Sequence, residues 1–599
     1  HHSFLNKINM IRNKLTVIIG LALFIALTCH AERVPLWPEG KIPNFQPQQI
    51  AATTKEVRQP GFKREEYTMP YLEWFDAPSE KNGACMLLIS GGGYKNCCDW
   101  RWIEKVAKRF TDLGYVCVSL TYRTPRPEGL PIYQSGWQDG QRAIRLVRQS
   151  AKERGFDPEK IGLLGFSAGG HLTTLLGTSA LTPAYEPVDA VDQIPCHVNL
   201  AVPIYVAYAL TDGLTGPNTR GGDAVDAKLS DVFKFDAKTC PMALFHGGTD
   251  PYSPNGSTEI YRKLRRMKIP AEIHLFADRG HGFMGDPKKG EKGTAYDHWL
   301  DRVCEFMRQM NFDGRLGKPL DLMTRYPNDD ARGEYRKEQI WPNGRMPDVQ
   351  ANQCQPYIEW HFPKERKTKA IQIIYSGGGY GHNKPDGFEV APARRYLNEK
   401  GMTVVTIKYR TPRPQGGLAK HTTAWQDLQR AIRMVRSQAT KEDLDPSRIG
   451  IMGSSAGGHL TLMGATSSKQ KVSWAIDDLH KISCKVQWAV AIYPAYVLTD
   501  GANGQNSKGG NEDDARIVAD FAFDLDTCPM LFIHGDADGH SPMNSVKCWE
   551  QLRRMGIQSD LHTLAKRGHC FQRNASPGTG SYTWMDRIWE FMNHKKFNQ

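Results

Sequence analysis

Three residue types that together perform nucleophilic catalysis occur twice along the chain, in the same order. Ser167 lies in a Gly-x-Ser-x-Gly segment, Asp250 follows an apolar run, and His281 follows Arg-Gly. A serine hydroxyl becomes a nucleophile when a histidine accepts its proton, while an aspartate fixes the tautomer of that histidine. The second set is Ser455, Asp538 and His569. In both sets 83 residues separate serine from aspartate and 31 separate aspartate from histidine.

The surroundings of each serine favour a nucleophile over a chance match to a short motif. Each Gly-x-Ser-x-Gly segment stands between an apolar, strand-like run and a helical pattern, which is the setting of a nucleophile elbow. A Ser-Gly-Gly-Gly-Tyr loop follows an earlier strand in both copies, where one half of an oxyanion hole belongs. We therefore expect backbone N–H groups there to stabilise an oxyanion. The predicted donors are Gly92 or Gly93 with Ala168, and Gly378 or Gly379 with Ala456.

Other polar side chains near these motifs are expected to have supporting roles. Asp536 competes with Asp538 as the acid, but it has no acidic counterpart in the first copy. Asp139 and Asp427 open arginine-bearing helices, where capping or ion pairing is expected. We expect His171, His246, His459 and His534 to pack or hydrogen-bond near the sites, and we interpret His540 as a loop residue. No cluster has metal-ligand spacing and the glycine loops are not P-loops, so we expect no metal and no other cofactor.

These motifs belong to a long internal repeat. Four segments occur twice, at offsets of 286 to 288 residues: Ser-Gly-Gly-Gly-Tyr, Tyr-Arg-Thr-Pro-Arg-Pro, the segment around the serine, and Arg-Gly-His. This period far exceeds that of a solenoid repeat and leaves room for a separate core in each copy. We therefore expect two tandem domains over residues 32–312 and 340–599, joined by a linker over residues 313–339.

Alternating strands and helices must position these residues. Short apolar runs that end in glycines predict buried strands, and apolar residues at helical spacing predict the helices between them. Strands separated by helices imply right-handed crossovers, hence an α/β fold whose mostly parallel sheet carries helices on both faces. In the first repeat the predicted strands are Cys85–Ile89, Tyr115–Leu120, Ile161–Leu164, Ala201–Tyr205 and Met242–Phe245, and the predicted helices are Trp137–Arg148 and His171–Thr178.

The composition excludes several classes of protein. The chain has 599 residues, of which 40% are hydrophobic and 24% charged, with a mean hydropathy of −0.51. These values exclude collagen-like, coiled-coil, largely disordered and polytopic membrane proteins. The net charge of +13 is spread without a Lys/Arg block, so we expect no nucleic-acid partner. A solvated basic surface, or a polyanionic substrate or cell-wall partner, remains compatible with that charge.

Residues 10–31 have the order of a secretory signal peptide. A short basic region precedes an apolar run over residues 15–28, and Ala31 offers a small residue at the cleavage position. Residues 1–9 precede the expected start. An uncleaved signal anchor and lipidation at Cys29 are the alternatives. We expect a secreted or periplasmic protein with no membrane partner after cleavage.

Secretion would place the cysteines in an oxidising compartment, where disulfides form. Cys196 matches Cys484 and Cys240 matches Cys528, both at offset 288. Each lies just before a predicted strand, and consecutive strands of a parallel sheet tend to be neighbours. Their Cα atoms would then come within the roughly 4.4–6.8 Å that a bridge requires. We predict the bridges Cys196–Cys240 and Cys484–Cys528, with buried free thiols as the alternative.

Nearly the whole chain after the signal segment resembles the α/β-hydrolase superfamily, which shares the order Ser, Asp, His. It is most similar to secreted bacterial esterases of the acetyl, xylan and feruloyl type, related to the hormone-sensitive-lipase and prolyl oligopeptidase groups. Two features depart from that pattern. The family's His-Gly-Gly-Gly loop begins here with Ser90 or Ser376, which must anchor it differently, and Phe166 or Ser454 stands where an Asp often precedes the nucleophile.

The resemblance implies a serine carboxylesterase that removes acetyl or feruloyl groups from an esterified polysaccharide or oligosaccharide such as xylan. The short segment between Tyr205 and Met242 leaves little room for a large helical cap, and an open site suits a substituent on a bulky chain. A feruloyl esterase in one or both domains is one alternative. A serine peptidase of the prolyl oligopeptidase type is another, although the chain has no propeller. A binding role for one domain is the third, against which two complete triads argue.

Overall fold

Contacts divide the chain into two units. Residues 1–162 and 183–196 form the first unit, and the remaining residues form the second. This division does not follow the repeat, because the second unit holds the end of the first copy and the whole of the second copy; the domain bounds remain a prediction. The computed structural model describes residues 32–75, 78, 80–98, 100–211, 227–283, 298–326, 331–499 and 515–598.

The first unit contains a four-stranded sheet and two long helices. The strands are β1 Glu32–Pro35, β2 Tyr71–Trp74, β3 Cys85–Ile89 and β4 Val116–Thr121, and the helices are α1 Trp100–Asp112 and α2 Gln134–Gln149. The sheet has the order β1-β2-β4-β3, in which only β3 and β4 are parallel. Four short helical turns are Thr54–Val57, Arg64–Tyr67, Ala151–Arg154 and Ala190–Gln193. Every residue of β3 is buried, as its unbroken apolar run predicts.

The second unit holds the larger sheet and the helices that cover it. Its strands are β5 Ile161–Phe166, which begins just ahead of the unit, β6 Leu200–Ile204, β7 Met242–Gly247, β8 Ala271–Phe276, β9 Arg332–Gln339, β10 Tyr357–Pro363, β11 Ile371–Tyr375, β12 Thr403–Lys408, β13 Ile449–Ser454, β14 Trp488–Ile492, β15 Met530–Gly535 and β16 Asp560–Leu564. Its helices are α3 Ala168–Thr178, α4 Asn255–Arg266, α5 Trp299–Gln309, α6 Ala391–Glu399, α7 Thr422–Ala439, α8 Ala456–Thr466, α9 Met543–Arg554 and α10 Trp584–His594. The minor elements are the two-residue strand pairs Leu210–Thr211 with Lys228–Leu229 and Leu498–Thr499 with Arg516–Ile517, and the 3-10 turns Leu322–Thr324, Thr440–Glu442, Asp478–Lys481 and Phe571–Asn574.

The strand order of the larger sheet confirms a mostly parallel α/β fold. It runs β5-β6-β7-β8-β16-β15-β14-β13-β11-β12-β10-β9 among the described residues. Counted from β9, the second copy therefore has its eight strands in the order 1-2-4-3-5-6-7-8, with only the second antiparallel to its neighbours. Strand β9 lies within residues 313–339, so part of the segment predicted as a linker is an edge strand of this sheet.

Helices cover both faces of the sheet in the second copy. Met452 of β13 joins a hydrophobic cluster that includes side chains of α6 and α10. Its neighbour Ile451 points the other way, because a Cβ built on Gly464 of α8 would lie 2.8 Å from Cδ1 of Ile451 and 3.1 Å from Cδ2 of Leu428 in α7. Successive strand residues face opposite sides of a sheet, so these contacts confirm the predicted arrangement of helices on both faces.

The last strands of the two copies pair with each other. Strand β8 runs antiparallel to β16, with His274 opposite His562 and Leu275 opposite Leu561. The two imidazoles meet through their Nδ1 atoms at 2.8 Å, and Nε2 of His274 lies 3.0 Å from Oε2 of Glu272. All three side chains are buried, and burial raises the pKa of Glu272 to about 8. Neither strand is left as an open edge.

A buried ionic cluster joins α5 of the first copy to α10 of the second. Glu305 accepts hydrogen bonds from Arg302 NH1 at 2.5 Å, from Arg587 NH2 at 2.6 Å and from the hydroxyl of Thr583 at 2.6 Å. Arg302 also donates to Glu590. Burial alone would raise the pKa of Glu305, but the two guanidinium groups lower it to about 2. Glu305 thus compensates two arginines from different copies.

Removing that carboxylate is expected to destabilise both copies together. Glu305→Ala leaves the buried guanidinium groups of Arg302 and Arg587 without their shared partner, at a cost of about 3–5 kcal/mol. Asp112→Ala is the matched control, because its ion pair with Lys108 is exposed and is worth about 0–1 kcal/mol. Thermal unfolding followed by tryptophan fluorescence should show a much larger drop in Tm for Glu305→Ala. Equal shifts in the two variants would contradict this role for Glu305.

The predicted disulfides are absent, and the strand register explains why. All twelve cysteines among the described residues are free thiols, so the bridges Cys196–Cys240 and Cys484–Cys528 were wrong. Ala489 of β14 pairs with Met530 of β15. Continuing this register places Cys528 opposite residue 487. Cys484 lies three residues before residue 487, about 10 Å away along an extended chain. Its Sγ donates instead to the carbonyl of Ser468 at 3.1 Å.

The predicted signal peptide, residues 10–31, lies outside the described residues. Among those that are described, no helix has the length and apolar character needed to cross a bilayer.

Candidate active sites

Each predicted nucleophile lies in a strained turn between a strand and a helix. Ser167 connects β5 to α3 and Ser455 connects β13 to α8, both with φ of 57°. A positive φ is costly for a residue other than glycine, about 1–3 kcal/mol. The turn closes only over glycine, since a Cβ on Gly165 would lie 2.3 Å from the Gly169 carbonyl oxygen, with a similar clash in the second copy. Such a strained serine between a strand and a helix is a feature of nucleophile elbows.

The structure brings serine, histidine and aspartate together in both copies. Nε2 of His281 lies 2.7 Å from Oγ of Ser167, and its Nδ1 lies 2.8 Å from Oδ2 of Asp250. In the second copy Nε2 of His569 lies 2.8 Å from Oγ of Ser455, and its Nδ1 lies 2.7 Å from Oδ2 of Asp538. An aspartate at Nδ1 selects the tautomer whose Nε2 accepts the serine proton. Both sets therefore have the geometry of a general base and its nucleophile.

A second histidine supports each aspartate. Nε2 of His246 lies 3.3 Å from Oδ2 of Asp250 and donates to the Tyr252 carbonyl at 2.8 Å. Burial on its own would raise the pKa of Asp250, but the hydrogen bonds from His246 and His281 lower it to about 2. In the second copy His534 supports Asp538 in the same way, and the pKa of Asp538 is likewise lowered. Both aspartates therefore stay ionised at neutral pH.

The glycine-rich loop of the second copy lies against its serine. A Cβ on Gly377 would come within 2.6 Å of Cβ of Ser455, so only glycine permits this approach. Gly378 and Gly379 have φ of 85° and 61°. Within the described part of the chain, the backbone N–H groups of Gly378, Gly379 and Ala456 have no acceptor. These are the N–H groups predicted to receive an oxyanion.

The repeated Tyr-Arg-Thr-Pro-Arg-Pro segment braces that loop. The hydroxyl of Tyr409 donates to the Ser376 carbonyl at 2.9 Å, and Nε of Arg413 donates to the Gly379 carbonyl at 2.7 Å. Between them, Arg410 is fully buried against Asp427, an ion pair that matches the supporting role predicted for that aspartate. Ser376 anchors the loop through its own hydroxyl, which accepts the N–H of Lys384 at 2.8 Å.

The first copy has the same brace within the first unit. Gly92 and Gly93 follow β3 with φ of 123° and 62°, and Nε of Arg126 donates to the Gly93 carbonyl at 2.9 Å. Arg123 and Asp139 form the corresponding buried ion pair. Ala168, the third predicted oxyanion residue, is the first residue of α3 in the second unit.

Two residues near the second site were misjudged or missed, and Asp536 was already disfavoured as the acid. His540, interpreted as a loop residue, packs its ring 4.9 Å from that of His569, where the first copy has Tyr252. Buried Glu389 accepts the N–H of Gly377 at 2.8 Å, and burial raises the pKa of Glu389. No sequence motif predicts this role of Glu389, because its partners are distant in sequence. Asp536 accepts hydrogen bonds from Tyr261 and Arg265 of the first copy, so it is not the acid.

The strand order, the strained serine turn and the Ser–His–Asp hydrogen bonds define an α/β-hydrolase. The chain belongs to the BD-FAE family, whose model matches residues 74–264 and again residues 358–552. A second model, described as the dienelactone hydrolase family, matches residues 228–311.

Curated relatives match one copy's length of the chain. An acetylxylan esterase of Xylanibacter ruminicola is 34% identical over 225 residues, 35% of this chain and 42% of that protein. The probable carboxylic ester hydrolase LipM of Mycobacterium tuberculosis is 33% identical over 241 residues, 36% of this chain and 53% of that protein. Endo-1,4-beta-xylanase B of Butyrivibrio fibrisolvens is 27% identical over 208 residues, 33% of this chain and 32% of that protein. The chain thus spans about a third to a half of these relatives.

Among solved structures, an acetyl ester-xyloside bifunctional hydrolase from Caldicellulosiruptor lactoaceticus is similar to this chain. It is 25% identical with a TM-score of 0.37, and the similarity covers 48% of this chain and 98% of that one.

Proposed function

We propose that the chain is a secreted serine carboxylesterase with two active sites, which removes acetyl or feruloyl groups from plant polysaccharide such as xylan. The observation that carries the proposal is the pair of hydrogen-bonded Ser–His–Asp sets, each behind a strained strand-to-helix turn. Its catalytic residues are Ser167, Asp250 and His281 in one site, and Ser455, Asp538 and His569 in the other.

The reaction follows from the positions of the protons. Nε2 of His569 accepts the proton of Ser455 as Oγ attacks the ester carbonyl carbon. The carbonyl oxygen then carries negative charge, which the N–H groups of Gly378 or Gly379 and of Ala456 stabilise. His569 gives the proton to the departing sugar oxygen, which leaves as a hydroxyl, and the acyl-serine is hydrolysed by water in the reverse sequence. Ser167 and His281 act in the same way, with the N–H of Ala168 as a donor.

Similarity to an acetylxylan esterase and to a xylanase supports a decorated polysaccharide as the substrate. The short segment after β6 also favours a site open enough for a substituent on a long chain; its residues 212–226 lie outside the described part. The signal-like segment supports secretion, and we expect neither a nucleic acid nor, after cleavage, a membrane as partner. We expect each copy to fold as a domain, the first over residues 32–312 and the second beginning with β9 at residue 332.

Release of acetate and of ferulate from native xylan by the whole protein tests this function. We expect acetate release, and hydrolysis of p-nitrophenyl acetate faster than that of methyl ferulate. A dipeptide amide should remain uncleaved. Ferulate as the main product would assign a feruloyl esterase instead, and cleavage of the amide would assign a peptidase. Absence of all three activities would contradict the proposed function.

The two sites are expected to differ in acyl preference. His540 of the second site stands where the first has Tyr252, and each ring packs against the catalytic histidine. Tyr252 has the larger apolar ring beside the catalytic histidine, so we expect a higher ratio of p-nitrophenyl butyrate to p-nitrophenyl acetate hydrolysis from the first site. The exchange His540→Tyr should raise that ratio in the second site, measured with Ser167→Ala in the same chain. An unchanged ratio would exclude this residue as a determinant.

A further inference from the structure

Three metal-ligating side chains converge in the second copy, apart from the Ser–His–Asp set. His421 directly precedes α7, His459 lies in α8, and Asp520 follows the short strand Arg516–Ile517. Nδ1 of His421 lies 3.8 Å, and Nε2 of His459 lies 3.9 Å, from Oδ2 of Asp520. One ligand atom from each residue falls within 4.8 Å of the other two.

The two imidazole nitrogens that face this point lack a hydrogen-bond partner. Neither Nδ1 of His421 nor Nε2 of His459 has one among the described residues, and both atoms are buried. His459 is 0% exposed and His421 is 8% exposed. Leaving a buried polar group unsatisfied costs about 1–3 kcal/mol. Two such groups directed at one carboxylate indicate that a ligand satisfies them.

The hydrogen bonding of His459 suits a metal ligand. Both imidazoles are buried, and metal ligation requires them to be neutral. The other nitrogen of His459, Nδ1, lies 2.8 Å from the hydroxyl of Tyr380. With Nδ1–H donating to that hydroxyl, the lone pair of Nε2 faces the cluster; such an outer hydrogen bond is usual for metal-bound histidine. The neighbouring ammonium of Lys420 lies 3.9 Å from the centre of the Tyr496 ring.

We propose that His421, His459 and Asp520 bind one divalent transition-metal ion, for which Zn²⁺ is the best candidate. Two imidazoles and one carboxylate, with a fourth position open to water, form a ligand set that zinc accepts. Tetrahedral bonds of about 2.0–2.1 Å place ligand atoms about 3.3 Å apart. The two His–Asp distances of 3.8 and 3.9 Å need to shorten by only about half an ångström to reach that spacing. The ion would also fix Tyr380, which directly follows the glycine loop of the second site.

The first copy provides an internal comparison. At the positions of His421, His459 and Asp520 it has Tyr133, His171 and Val232. Only one of the three ligands is retained there. We therefore expect one ion for each chain, bound by the second copy.

The test measures zinc binding by the full chain without an affinity tag. After treatment with a chelator and removal of the chelator, ZnCl2 alone is titrated by calorimetry and metal content is measured by mass spectrometry. The wild type should bind one equivalent. His421→Tyr and Asp520→Val, which introduce the first copy's residues, should bind at least about 100-fold more weakly. His480→Tyr and Asp478→Ala, in the 3-10 turn Asp478–Lys481, are the controls and should bind as the wild type does.

Absence of a stoichiometric site in the wild type would overturn the proposal, as would wild-type affinity in both ligand variants. Circular dichroism shows whether the variants are folded. Should both be unfolded, Co²⁺ added to the wild type decides the matter, because tetrahedral coordination gives intense visible absorption. Absence of that absorption overturns the site, whereas its appearance and its loss on adding Zn²⁺ support it.

Discussion

Replacing both Ser167 and Ser455 with alanine is expected to lower p-nitrophenyl acetate hydrolysis by about 10⁴-fold or more. Each single variant should keep the activity of the other site, because His281 lies 2.7 Å from Ser167 and His569 lies 2.8 Å from Ser455, each within its own copy. Alanine removes the nucleophilic oxygen and leaves the turn unchanged. Turnover by the four proteins, wild type included, measures the contribution of each site.

Labelling with a fluorophosphonate provides an independent count of the sites. Intact-mass measurement should find two adducts on the wild type, one on each single variant and none on the double variant. A single variant that is already inactive and unlabelled would mean that the two sites do not work independently.

The substitution Asp250→Asn should lower the turnover of the first site by about 10⁴-fold, because His281 loses the carboxylate that selects its tautomer. The experiment uses Ser455→Ala in the same chain, so that only the first site is measured. Asp250→Asn keeps the size of the side chain and its hydrogen bond to the N–H of Tyr252. Exposed Asp231→Asn is the matched control and should leave the rate unchanged. Wild-type activity of Asp250→Asn would exclude the proposed role of this carboxylate.

The same carboxylate should contribute to stability in a defined pH range. Its pKa is lowered to about 2 in the folded chain, against about 3.9 for an unperturbed aspartate. The unfolded chain therefore takes up the proton first as the pH falls, so a stabilisation of about 2 kcal/mol is present above pH 4 and is lost towards pH 2. Acid unfolding of the wild type should be steeper over this range than that of Asp250→Asn. Identical profiles would contradict the lowered pKa.

The local elements and the Ser–His–Asp residues were predictable because their signals are local. An apolar run bounded by glycine predicted Cys85–Ile89, and the strand occupies those residues. The glycines around Ser167 and Ser455 were equally informative, since only glycine fits where the helix meets the strand. Repetition of the whole set at a nearly constant offset made chance matches improbable.

Features that depend on register and on distant contacts could not be read in this way. The disulfide prediction used the correct strand neighbours, yet a difference of three residues in register separates Cys484 from Cys528. Glu389 and the His421–His459–Asp520 cluster unite residues from separate elements, with no recurring spacing to reveal them. The first strand of the second copy was assigned to a linker because its sequence is polar on both faces, as an edge strand allows.

The antiparallel pairing of β8 with β16 places equivalent histidines of the two copies opposite each other, as strands do where two identical subunits meet. Each copy covers the sheet edge that the other copy would expose on its own. Arg302 of the first copy also donates a hydrogen bond to Glu590 of the second. A chain cut between the copies would present an unpaired strand together with uncompensated buried charge, the combination that drives self-association. Activities measured on truncated halves would therefore reflect their aggregation and not the separate activity of each copy. Coexpressed halves, in contrast, would be able to recover each other as a heterodimer across the same two strands.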